Sequence, residues 1–294
     1  VISLNTYKLQ KLMDLKIDFS FQKVFGNELI IPFLNALLER PPKDKIHRIL
    51  QSPANKDEDL APLSFLCMTN TGKKLHIFIN VRNSFDIVKH SLYYAAKAYS
   101  NQNYKDICPV FFINLLNYEL LNQTESFHTT YLLKERQAEA PLLDVFELHF
   151  IEYPTLIKAF EAKKVNLWND AKARWLLLLG IVDQRFGIFY EDLYKEMNLL
   201  SLRDEEIRLA FHKWHELSQQ KKEWTAYEKR LQQTLDEEKE LHEAKQREKA
   251  AYEKGVKQLQ INIAKKMLAD GMEIEYVAKI TGLSLREIES LTKD

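Results

Sequence analysis

The sequence predicts an α/β (α+β) fold whose first half interleaves strands and helices, followed by an all-helical C-terminal region. Three observations carry that reading. Short apolar runs alternate with runs of helical period as far as Pro154, helical spacing dominates beyond residue 165, and about half of the residues from Lys221 to Lys254 are charged.

Taken in order, residues 15–38 break at Gly26 and continue with Leu29, Ile30, Phe33, Leu34, Leu37 and Leu38 at helical spacing, a short segment followed by an amphipathic helix. Pro41 and Pro42 end it, because proline lacks the amide proton and disfavours helix in the residue before it. After a polar stretch, Leu63 to Met68 and Lys73 to Val81 are apolar, β-rich runs joined by the turn "TNTG", which predicts a hairpin. Phe85, Val88, Leu92, Ala95, Ala96 and Tyr99 mark a helix over 84–102. The nearly unbroken apolar run from Asp106 to Leu116 reads as a strand buried on both faces. "FHTTYLL" and "LDVFELHFIEY" supply two further strands.

The second half changes character. "LWNDAKARWLLLLGIVDQRFG" and "LRDEEIRLAFHKWHEL" read as packed helices, and a long charged helix follows. Leu217, Trp224 and Leu231 are spaced by seven, with Tyr227, Leu235 and Leu241 joining loosely, while Glu243 with Arg247 and Glu253 with Lys257 fall at pairing distance on one face. The last residues form a helix-turn-helix-like unit: Gly271 is a C-cap, Gly282 a sharp turn, and Ser284 with Glu287 a capping box. Ile263, Met267, Leu268, Ile274, Val277, Ile280, Leu283 and Ile288 are its expected inner face. After Ser284 its only cations are Arg286 and Lys293. The expected domains are 1–160, 161–217, 218–260 and 261–294.

Composition limits the function classes. Across 294 residues, Lys+Arg and Asp+Glu both total 42, so any nucleic-acid surface must be a local patch. Cys67 and Cys108 lie in apolar runs without CxxC spacing, which predicts reduced thiols and a cytoplasmic protein. The N-terminus carries no signal-peptide pattern, and the longest apolar run, Trp175 to Val182, is far short of the ~20 residues a membrane span requires. There is no glycine-rich phosphate loop and no nucleophile elbow. Ser64, Cys67 and His76 are close in sequence, but strand pairing explains that spacing better than a hydrolytic triad does.

The segments "DFSFQKVFG" with "FLNALL", "SLYYAAKAYSNQ" with "YKDICPVFFINLLNY", "FHTTYLL" with "FELHFIEY", and the tail "ITGLSLREIESL" together resemble the PD-(D/E)XK nuclease-family transposases, the Rpn-type recombination-promoting nucleases. The resemblance spans most of the chain in the right order. It implies a restriction-endonuclease-like PD-(D/E)XK core, with a mixed sheet flanked by helices. It also implies a divalent-metal site built from an acid near the first helix, an Asp on the first hairpin strand, and a Glu two residues before a Lys or Gln on the second. Aligned on Gly72, those positions fall on Asp18, Ser64, Phe78 and Asn80, and an arginine common in the family falls on His90. From Leu60 through Arg82 there is no Asp or Glu, so no shift of one or two residues restores the strand acids. The nearest acids are Asp57, Glu58 and Asp59. His76 and His90 lack a neighbouring carboxylate and read as ordinary hydrogen-bonded residues.

The expectation is therefore a family member without confident catalytic residues, metal ligands or cofactor. It would act by binding DNA, through Lys73, Lys74, Arg82, Lys89 and His90, or by binding a related active nuclease. Two alternatives stand beside it: an active Mg-dependent endodeoxyribonuclease with a relocated acid, and a self-assembling interaction protein. No membrane partner is expected.

Overall fold

The computed structural model describes residues 12–26, 28–52, 61–82, 86–103, 105, 107–120, 125–135, 137 and 146–291. It divides into two units, Val1–Asp236 and Glu237–Asp294.

In the first unit, α1 (Asp18–Phe25) buries Phe21, Val24 and Phe25. Gly26 follows as its C-cap, its N–H donating to the Gln22 carbonyl, and a Cβ there would run into that same oxygen. The apolar helix α2 (Ile30–Leu37) follows, then β1 (Ile46–Gln51), β2 (Leu63–Thr69) and β3 (Lys74–Asn80). The predicted β2–β3 hairpin forms, its turn closed by Thr69 N–H donating to the Lys73 carbonyl at 2.9 Å, with Gly72 at φ 79°. Helix α3 (Ile87–Ser100) carries the chain from β3 to the parallel strand β4 (Val110–Leu116). β5 (His128–Leu132) and β6 (Phe146–Glu152) complete a six-stranded mixed sheet in the order β1-β2-β3-β4-β6-β5, in which β3, β4 and β6 run parallel.

The two-residue period of the strands splits the core. Ile77, Ile79, Phe111, Ile113 and Leu115 join α1, α2 and the later helices in the larger cluster. Phe78, Val110, Phe112 and Leu116 join Ile87, Ala95 and Ala98 of α3 in the smaller. β4 is buried along its whole length, as its apolar run predicts.

Helices α4 (Tyr153–Glu161) and α5 (Ala171–Gly180) precede a short hairpin, β7 (Val182–Asp183) with β8 (Ile188–Phe189), and then come α6 (Glu191–Ser201), α7 (Glu205–Gln219) and α8 (Lys221–Ala269). Two strand elements were not legible. β7 lies inside a run read as helix and β8 just after it, and β1 is an edge strand with two register shifts and mostly exposed or half-buried residues. The residues spaced by seven at the start of the charged region serve the main core. Leu217 and Tyr227 are buried in the larger cluster, and Trp224 and Leu231 pack against it.

In the second unit, Ala264 on α8 packs with Val277 of α9 (Ile274–Thr281), Leu283, and Ile288 of α10 (Leu285–Leu291). The capping box is present. Ser284 N–H donates to Glu287 Oε2 at 2.9 Å, and Gly282 takes the left-handed conformation at φ 72°. The expected inner face needs correction at two positions: Ile263 and Ile280 are 41% and 55% exposed. Lys257 pairs with Glu287 rather than with Glu253.

Candidate functional site

The β2–β3 register sets Ser64 opposite Phe78. By the strand period His76, Phe78 and Asn80 share the face that α3 covers. Ser64 Oγ lies 2.8 Å from His76 Nε2, and burial lowers the His76 pKa from its ordinary 6.5, which favours the neutral ring. Cys67 pairs with Leu75 and belongs to the larger cluster, so it lies on the other face of the sheet and no Ser-Cys-His constellation forms. The Phe78 ring sits between His76 at 4.3 Å and Phe112 at 5.7 Å, and its residue is 7% exposed.

At the carboxyl end of β3 the surroundings become polar. Buried Asn80 donates to Asn114 Oδ1 at 3.3 Å, Ser91 Oγ donates to the same oxygen at 3.1 Å, and Asn114 Nδ2 donates to the His149 carbonyl at 3.3 Å. Asn80 Oδ1 accepts the Arg82 backbone N–H at 3.1 Å, which fixes the start of the Arg82 side chain.

Arg82 holds Asp18. Its Nη2 and Nε donate to Asp18 Oδ2 at 2.7 and 2.9 Å, while Arg230 of α8 donates from Nε to Oδ1 at 2.8 Å and to Oδ2 at 3.1 Å. Burial pushes the Asp18 carboxyl up, but the hydrogen bonds and charges of Arg230 and Arg82 more than offset it, leaving its pKa below the ordinary 3.8. Asp18 is an ionised carboxylate with both oxygens engaged.

The expected cations do not form one cluster. Lys73 and Lys74 are exposed at the hairpin turn, whereas Arg82, Lys89 and His90 lie beyond the opposite end of β3. The eight residue-to-residue steps from Lys74 to Arg82 span about 26 Å of extended chain. Lys89 is bonded to Asp86 at 2.7 Å, and His90 packs its ring against Tyr94 at 4.7 Å. Sequence reasoning missed Arg230, one cation among many in the long charged helix, and also missed Asn114 and Ser91. An asparagine inside the apolar run "VFFINLL" was the available signal for the network.

A model of the PD-(D/E)XK nuclease family transposases matches residues 15–244. The chain belongs to that family. A second model, the C-terminal HTH domain of the Rpn/YhgA-like nuclease family, matches residues 257–293. No curated protein and no solved structure matches the chain. Family and HTH domain together point to a DNA-related function. As the resemblance implies, the sheet is mixed and flanked by helices.

A divalent cation, which PD-(D/E)XK chemistry uses, needs several hard oxygen ligands. Among the described residues no three His, Cys, Asp or Glu side chains come together to hold a metal ion, and the Asp18 carboxylate is already engaged by two guanidinium groups. These residues do not fit the ion. Asp57, Glu58 and Asp59 lie outside the described residues. No described helix is long and apolar enough to cross a membrane.

Proposed function

We propose that this PD-(D/E)XK family member has lost catalysis and acts by binding DNA without a metal. One observation carries the reading: the single acid that matches the family motif, Asp18, is bound on both oxygens by Arg82 and Arg230. A carboxylate so paired would have to give up charge-assisted bonds before it could ligate a cation. Ser64, Phe78 and Asn80 at the other motif positions bring no carboxylate, and Phe78 is a packed core ring there. Supercoiled plasmid incubated with the full-length protein and magnesium or manganese should stay intact, while gel shift in EDTA should show binding. Cleavage that disappears in Asp18→Ala would instead establish a metal-dependent endonuclease with a relocated acid.

A second reading, self-association, is favoured by a separate observation. In the second unit Tyr252, Val256, Leu259 and Ile263 are exposed and follow one another at steps of four, three and four, forming an apolar stripe on α8 apart from the Ala264 face. Light scattering on wild type and Leu259→Glu tests it. A wild-type mass above the 34.7 kDa protomer that falls to the protomer value in the variant supports the reading, and a monomeric wild type removes it.

A further inference from the structure

We propose that Arg82 and Arg230 together form a metal-independent site for a backbone phosphate of DNA, with Asp18 as the acid that holds the two guanidinium groups side by side. The inference rests on the DNA-binding reading above and names the contact that reading lacks.

The first support is charge. One carboxylate and two guanidinium groups leave a local net charge of +1, so the place where the family holds a divalent cation carries fixed positive charge of protein origin. A magnesium ion at a nuclease site offsets phosphate charge, and a guanidinium pair offers charge of the same sign.

Geometry is the second support. The Asp18, Arg82 and Arg230 side chains are 18%, 19% and 15% exposed, sheltered but not sealed. Asp18 takes Nε and Nη2 of Arg82, and Nη1 is buried with no hydrogen-bond partner among the described residues. That nitrogen lies inside the protein, so a phosphate is met by the part-exposed remainder of the two arginine side chains. Arg82 is aimed from its root, because its backbone N–H is tied to Asn80 in the buried Asn80–Asn114–Ser91 network. Arg230 comes from α8, a helix anchored to the same unit by Tyr227, whose hydroxyl accepts the Asp14 backbone N–H at 2.9 Å. Both cations are therefore fixed before any ligand arrives, which lowers the entropy cost of capturing one.

The lysines at the hairpin turn lack this construction. Lys73 and Lys74 are exposed and about 26 Å of chain away.

The test is fluorescence anisotropy of a labelled DNA duplex with the full-length protein in EDTA, over a salt series, comparing wild type with Arg82→Gln, Arg230→Gln and Asp18→Asn. Each arginine variant should bind about tenfold more weakly and lose about one unit of slope in log affinity against log salt, because one phosphate contact is gone. Asp18→Asn leaves both cations in place and should keep the wild-type salt slope, whatever its change in affinity at a single salt concentration. That contrast in slope separates a phosphate site from a structural ion pair, which would alter the slope in all three variants or in none. Arg230→Lys, which keeps the charge, should retain most of the salt slope and serves as the reference if Arg230→Gln folds poorly. Wild-type binding with unchanged slopes in both arginine variants overturns the phosphate site and leaves the DNA-binding reading standing. A wild type that binds no duplex even at low salt overturns both.

Discussion

The rings of Phe78 and Phe112 stack across neighbouring parallel strands, with centroids 5.7 Å apart and planes at 14°. The motif position that would carry a metal-binding glutamate is thus part of the apolar layer under α3. Phe78→Ala should cost about 3 kcal/mol, the loss expected for a buried ring whose space is not refilled. Urea unfolding measures it, and a cost under about 1 kcal/mol would show that the cleft tolerates an opening there. Ser64→Asp with Phe78→Glu and Asn80→Lys should give no magnesium-dependent rise in Tm while Arg82 and Arg230 engage Asp18. The rise should appear only when Arg82→Gln is added.

Asp18 makes stability depend on pH at the acid end. Its folded pKa lies below the ordinary 3.8, so its ion pairs contribute fully above that value and are lost as pH falls through the depressed folded value. Asp18→Asn should be less stable than wild type at pH 7, and the gap should narrow below about pH 4. Paired urea titrations read this directly. A gap that stays constant with pH would mean the arginines do not depend on the Asp18 charge.

His128 acts at higher pH. Its Nε2 lies 3.0 Å from His149 Nδ1, and burial, then His149, then Lys172 lower its pKa from 6.5 to about 3. The unfolded chain takes up this proton below about pH 6.5 while the folded chain does not, so stability falls as pH drops from there toward about 3. Between pH 7 and pH 5 this single group should remove roughly 1 to 2 kcal/mol. His128→Gln should flatten the wild-type profile over that interval, and equal slopes would place the ring in water.

Tyr227 tests whether the start of α8 belongs to the folded core. Its hydroxyl is the acceptor for the Asp14 backbone N–H, and the residue is 1% exposed. Tyr227→Phe keeps the ring and leaves a buried amide without its acceptor, at a cost of about 1 to 2 kcal/mol. Hydrogen exchange should show the Asp14 amide losing protection in the variant. Unchanged exchange would separate α8 from the N-terminal segment.

Much of the fold was legible because it is written in local periods. The β2–β3 hairpin follows from two apolar runs and a glycine that takes φ 79°. The Ser284–Glu287 box follows from two polar residues at fixed spacing, and β4 from an unbroken apolar run. β1 was not legible, since an edge strand covered on one side needs few apolar residues and its bulges break alternation. The candidate site was half legible: the motif positions Asp18, Ser64, Phe78 and Asn80 could be aligned, but what holds them could not.

The sequence by itself determined the β2–β3 hairpin, the buried β4 run and the C-terminal capping box, the absence of acids from Leu60 through Arg82 and the zero net charge, because these depend only on which residues neighbour one another along the chain. The tertiary structure decided that Arg230, 212 residues from Asp18, takes that carboxylate together with Arg82, and that Trp224, Tyr227 and Leu231 serve the main core. A charged helix has the same composition whether its arginine faces water or a carboxylate. Coulomb energy depends on the distance between charges in the folded chain, and only folding sets that distance.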